Sequence, residues 1–91
     1  MFIDSHCHLN YKGLIEDQDG AIARARAAGV AGMLNISTRA AEWDEVIAIA
    51  ERHEDIWASV GIHPHDADTH AEVDAAALMA KAAQHARVVA I

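Results

Sequence analysis

Apolar residues recur along this chain in two alternating patterns, short strand-like runs and longer stretches with a spacing of three to four. A first strand is predicted from Phe2, closed by the polar Asn10. Asp17 and Asp19 then stand where a helix is capped, and Ala21–Ala28 reads as helix ended by Gly29. Val30–Ile36 reads as a buried strand, with Ser37 and Thr38 offering the next cap. Trp43, Val46, Ile47 and Ala50 form a helical apolar stripe, and Glu42, Glu45 and Arg52 fall on other faces. Ile56–Ile62 is a third strand, followed by a polar loop from His63 to Ala71 that holds the only proline. A third helix is predicted over Val73–His85, its stripe of Val73, Ala77 and Ala80 weakened by alanine, and Arg87–Ile91 is a fourth strand.

Strands that alternate with amphipathic helices imply right-handed crossovers and a parallel sheet whose loops after the strands carry the chemistry. The predicted strands start about thirty residues apart, close to the unit of an eight-stranded barrel of roughly 250 residues. The expected fold class is therefore α/β, the amino-terminal half of a TIM-type (β/α)8 barrel in the order β-α-β-α-β-α-β. Residues 1–91 would form one partial barrel domain, truncated after the fourth strand. A doubly wound open sheet is the alternative, but its glycine-rich phosphate loop is missing after the first strand. A terminal apolar strand at Ile91 would leave unpaired backbone groups. That implies either a fragment or a partner that supplies the missing strands, with self-association through the open edge of the fourth strand.

Composition narrows the picture. The 91 residues are 53% hydrophobic, enough for a packed core, but much of this is alanine, which buries little area per residue. No apolar run is long enough to span a bilayer, and Met1 leads directly into strand sequence, so no membrane association and a cytoplasmic location are expected. The single cysteine excludes an internal disulfide. Fourteen acidic and seven basic residues give a net charge of −7, which argues against a broad basic nucleic-acid surface. A nucleic-acid substrate is still compatible with that charge, because a divalent ion would be the largest local positive charge in its site.

The candidate chemistry begins at the end of the first strand. Side chains alternate along a strand, so His6 and His8 point the same way and form half of a divalent metal site. Asp4 falls on that face by the same alternation, where a carboxylate can accept a ring hydrogen bond and fix the tautomer. Cys7 is out of phase and reads as a small core residue facing away. By itself His-x-His also fits a solvated strand end. A second constellation, Gly61-Ile62-His63-Pro64-His65, follows the third strand, and in a parallel barrel it shares the rim of His6 and His8. Pro64 restricts His63 to extended backbone, although a polar surface loop fits the same spacing. Asp66 and Asp68 read as loop and cap residues, and His53, His70 and His85 as solvated positions. Trp43 and Trp57 read as packing residues.

These residues carry a family resemblance. Phe2-Ile3-Asp4-Ser5-His6-Cys7-His8-Leu9-Asn10 resembles the amino-terminal signature of the TatD family of metal-dependent deoxyribonucleases, and Val60-Gly61-Ile62-His63-Pro64-His65 resembles its second motif. Val88-Val89-Ala90-Ile91 is similar to the strand that leads into that family's Gly-Glu motif. The resemblance implies an amidohydrolase-type barrel with one or two divalent ions, and His6 and His8 as ligands of one of them. Mixed imidazole and carboxylate ligation accommodates Mg²⁺, Mn²⁺ or Zn²⁺. It implies His63 as the catalytic residue that lines the substrate pocket and contacts phosphate, His65 as a further substrate-binding candidate, and Asp4 as a supporting residue behind the ligands. The family's remaining ligands, a glutamate after the fourth strand, two later histidines and an aspartate, are absent from these residues. The implied function is hydrolysis of DNA phosphodiester bonds by metal-activated water. A related amidohydrolase acting on an amide, ester or other phosphoester, and a non-catalytic half barrel, are the alternatives.

Overall fold

The structure, a computed structural model, describes residues 1–91. Its centre is one parallel sheet in the order β1-β2-β3-β4, formed by β1 (Phe2–Cys7), β2 (Val30–Asn35), β3 (Ile56–Ser59) and β4 (Val88–Ala90). Three helices connect them, α1 (Gln18–Ala27), α2 (Trp43–Arg52) and α3 (Ala75–Ala83). The expected β-α-β-α-β-α-β order is thus observed. Because every strand runs the same way, the loops after β1, β2 and β3 meet at one rim, where the histidines lie.

The core lies between the sheet and α2. Trp43, Val46, Ile47, Ile49 and Ala50 are buried against Ile56, Ala58 and Val60, with Met33 from β2 and Ile22 from α1. The spacing of three and four on α2 thus meets the spacing of two on β3. Trp43 also donates its indole N–H to the Gly61 carbonyl at 3.0 Å, which ties the start of α2 to the rim. Trp57 is half-buried beneath the guanidinium of Arg87, 4.6 Å from the ring centre, as a packing residue should be. No helix is long and apolar enough to cross a membrane.

Several boundaries differ from the sequence pattern. Helix α1 begins at Gln18, and Asp17 makes no capping bond; its carboxylate pairs instead with Arg24 at 3.2 Å. At the other end Gly29 takes φ +95°, where glycine escapes the Cβ clash, and its carbonyl accepts the Phe2 N–H at 2.8 Å. Ser37 and Thr38 do not cap α2. Ser37 binds Ser59 across the strands and Thr38 binds the Glu42 carboxylate, while a short 3₁₀ turn at Ala40–Glu42 leads into the helix. β3 stops at Ser59, although Val60 still donates its N–H to Ala90 at 3.1 Å.

The expected loop after β3 is ordered as a 3₁₀ helix, Pro64–His70. Pro64 at its first turn needs no partner for a missing N–H, and the His63 side chain caps the turn. Helix α3 is shorter than predicted, because Asp74 accepts the Ala77 N–H at 2.9 Å and fixes its start. Its inward face is Leu78 and Ala82, with Val73 just before the helix; Ala77 and Ala80 are exposed.

Candidate metal centre

The end of β1 is not a regular strand. Asp4 pairs with Met33 and Cys7 with Asn35, so three steps of β1 span two of β2. This bulge breaks the alternation that placed Asp4 with the histidines. Asp4 accepts the backbone N–H of His6 at 3.1 Å and bonds to neither imidazole, which corrects the expectation of a ring-orienting carboxylate. His6 lies within this bulge and His8 just past the strand end, yet their side chains come together. The rings of His6 and His8 lie 5.1 Å apart, edge to face. Cys7 is half-buried with its Sγ 3.5 Å from the Leu34 carbonyl, and burial, aided by the Asp4 charge, pushes its thiol up to about 11. The Cys7 side chain thus sits against β2 and does not line the histidine cavity.

His8 is oriented by other groups. Its Nδ1 lies 2.9 Å from the Ile36 carbonyl. A carbonyl only accepts, so Nδ1 carries the proton, and the neutral form of the ring has its lone pair on Nε2. Tyr11 stacks on the same ring at 4.3 Å, nearly parallel, and its hydroxyl meets Thr38 Oγ1 at 3.2 Å. The next residue is clamped on both sides. The Leu9 N–H donates to Asn35 Oδ1 at 2.9 Å, and its carbonyl accepts from Gln18 Nε2 at 3.0 Å. Gln18 in turn accepts from Arg52 at 2.9 Å. Both amide side chains are buried, so the turn that follows the histidines is fixed from inside the protein.

His63 reaches the same pocket from the loop after β3. Its backbone N–H donates to the Thr38 carbonyl at 2.8 Å, joining the loops after β2 and β3. Its Nδ1 accepts the His65 N–H at 3.1 Å, so the neutral ring carries its proton on Nε2 and can donate there. His6, His8 and His63 line one cavity of about 220 Å³, together with Ser37, Thr38 and Ser59. His65 is exposed and outside that lining, its ring 4.8 Å from that of His63. A larger cavity of about 530 Å³ lies between the start of α1 and the end of α2 and shares no residue with the histidine pocket. Size is therefore a poor guide here; the convergence of oriented imidazoles marks the site.

The donor set fits a divalent ion in part. Although three histidines line the cavity, no three His, Cys, Asp or Glu side chains are placed to hold one ion together, so His6 and His8 offer two ligands where a structural or catalytic zinc takes at least three from the protein. The other histidines have partners elsewhere. His53 lies 3.2 Å from Arg26, His70 is 2.7 Å from the Asp66 carbonyl, and His85 is 2.7 Å from Glu51. Sequence reasoning missed the groups that orient the site, Ile36, Tyr11, Asn35 and Gln18. The one available signal was Asn35, a lone amide in an otherwise apolar strand.

The structure is thus a parallel β/α sheet that brings His6, His8 and His63 to one cavity at the carboxyl ends of its strands. The chain belongs to the TatD related DNase family, whose profile matches residues 3–91. It is 49% identical over 75 residues to the 3'-5' ssDNA/RNA exonuclease TatD of Cronobacter sakazakii, covering 82% of this chain and 28% of that protein. It is 39% identical over 89 residues to the protein of the same name in Erwinia tasmaniensis, covering 97% of this chain and 34% of the relative. Among solved structures it is similar to YjjV, a TatD homologue from Escherichia coli, with a TM-score of 0.86, 31% identity, and coverage of 97% of this chain and 34% of that one. The four strands therefore correspond to the amino-terminal part of a TIM barrel. This chain spans about a third of the length of the relatives it matches.

Proposed function

We propose that the protein is a metal-dependent nuclease that hydrolyses phosphodiester bonds in DNA, acting on single strands or ends as the names of its relatives suggest. The observation that carries this reading is the His8 ring, whose Nδ1 is tied to the Ile36 carbonyl while Nε2 is left free in a pocket shared with His6 and His63. His6 and His8 would hold one divalent ion, Mg²⁺, Mn²⁺ or Zn²⁺, and further ligands complete its shell, with a second ion as a further part of the proposal. When bound, such an ion supplies Lewis acidity, lowering the pKa of water and offsetting charge on phosphate oxygens. His63 donates from Nε2 to a phosphate oxygen as charge grows there. His65 fixes the His63 tautomer through its backbone N–H and offers its ring as a further substrate contact. Asp4 supports His6 through the backbone alone. A cytoplasmic location is part of this reading and fits the free Cys7.

The test is an assay of the full-length protein on single-stranded DNA and on small amides with each of these ions. Release of nucleotides, abolished by chelation and restored by the ion, is expected; hydrolysis of the amides alone would assign the protein to a related amidohydrolase class instead. His8→Ala lowers the rate at least about a hundredfold, and His63→Ala lowers it by roughly 10²–10³, the effect of losing one donor to developing charge.

The exposed Val89 and Ile91 favour a second reading for the 91-residue chain in isolation, self-association through the open edge of β4. Sedimentation would show concentration-dependent assembly; a stable monomer that binds metal tightly contradicts it.

A further inference from the structure

Six of the seven lysines and arginines have partners within the protein. Arg24 pairs with Asp17, Arg26 with Asp55, Arg39 with Glu42 and Lys81 with Asp44, while Arg52 binds Gln18 and Arg87 binds backbone carbonyls. Lys12 alone makes no hydrogen bond or ion pair. It stands on the rim, in a cleft of about 330 Å³ with Asn10, Tyr11, Arg39 and Glu42.

Tyr11 is the wall between this cleft and the histidine pocket. Its ring stacks on His8 and its hydroxyl meets Thr38, both of which line the pocket, while Tyr11 itself lines the cleft. Lys12 and Arg39 are the cations of the cleft and Glu42 its lining carboxylate, with Asp66 near enough to act on Arg39. Glu42 is also heavily engaged. Its carboxylate accepts from Thr38 N–H at 3.2 Å, Thr38 Oγ1 at 2.9 Å and Arg39 at 3.1 Å. Burial alone would raise its pKa, and these bonds more than offset that, holding it below the usual glutamate value. Asn10 adds a buried side-chain oxygen with no partner in the protein.

From this juxtaposition we infer that Lys12 and Arg39 form a subsite for the backbone phosphate next to the one held at His6, His8 and His63, with the single strand crossing Tyr11 between them. A flexible ammonium with no internal partner is free to meet a phosphate, and an aromatic ring beside it suits a strand of unpaired bases. The inference rests on the nuclease reading and extends it along the strand.

The experiment measures binding of a labelled single-stranded oligonucleotide to the full-length protein across a range of salt, for wild type, Lys12→Ala, Lys12→Arg and, as a distant control, Lys81→Ala. Lys12→Ala is expected to lower the salt slope by about 0.7, the single-strand value for one phosphate contact, so the affinity advantage of wild type falls about fivefold for each tenfold rise in salt. Lys12→Arg restores the slope and Lys81→Ala leaves it unchanged. DNA cleaved and bound by wild type with the same slope in Lys12→Ala overturns the subsite but leaves the nuclease intact. A wild type that neither binds nor cleaves DNA overturns both.

Discussion

The inner unit β2-α2-β3 and the outer elements β1, α3 and β4 follow the same local rules but differ sharply in packing. Helix α2 buries Trp43, Val46, Ile47, Ile49 and Ala50, whereas α3, of similar length, buries nothing completely. Within residues 1–91, β2 and β3 pair on both sides and β1 and β4 on one, and Phe2, Ile3 and Val89 are exposed. For the helices the cause is in the side chains: an alanine face removes less apolar area from water than a face of Ile, Val and Trp. The candidate ligands sit at the end of β1, and the groups that hold them come largely from the inner unit. Ile36 orients His8, and Asn35 clamps Leu9. Precision at the site is thus borrowed from the best-packed part of the protein through a few buried hydrogen bonds.

The largest test of this contrast is Ile56→Ala, at a fully buried position of the inner unit, which should destabilise the fold by about 2–5 kcal/mol in urea denaturation. Asn35→Ala comes next. It leaves the buried Leu9 N–H without its acceptor and should cost about 1–3 kcal/mol, with a loss of metal affinity seen in calorimetric titration. If stability falls and metal affinity does not, the inner unit does not position the ligands.

The link between α1 and the loop before β3 is weaker and depends on pH. Arg26 meets Asp55 through two bonds of 2.8 Å, and this hydrogen bonding, against the effect of burial, holds the Asp55 carboxyl below the usual aspartate value. Its folded pKa is depressed, so the contribution is complete above the unfolded value of about 3.9 and is lost as pH falls through the lower folded one. With the side chains 45% and 22% exposed, Arg26→Gln should cost little stability at neutral pH and flatten the acid limb of the stability curve. Smallest of all, Met79→Ala on the exposed face of α3 should change stability by no more than about 0.5 kcal/mol. A larger loss would show that α3 is packed more like α2 than its exposure indicates.

Element order, the parallel connectivity and the His6, His8 and His63 constellation were legible in the amino-acid sequence, because period-two and period-three-to-four spacing and short motifs are local properties. All four residues of the predicted α2 stripe are buried, and Ile49 is buried beside them. The stripe on α3 was not legible, because alanine on every side leaves its direction to be chosen by tertiary contact at Leu78 and Ala82. The role of Asp4 was lost at the β-bulge, a feature of strand pairing that one-dimensional alternation does not contain. The tautomers of His8 and His63 follow from a carbonyl on another strand and an N–H two residues on, so the fold decided which ring presents a lone pair and which presents a proton. Sequence determined which chemical groups reach the rim; only their meeting in three dimensions determined what each can do there.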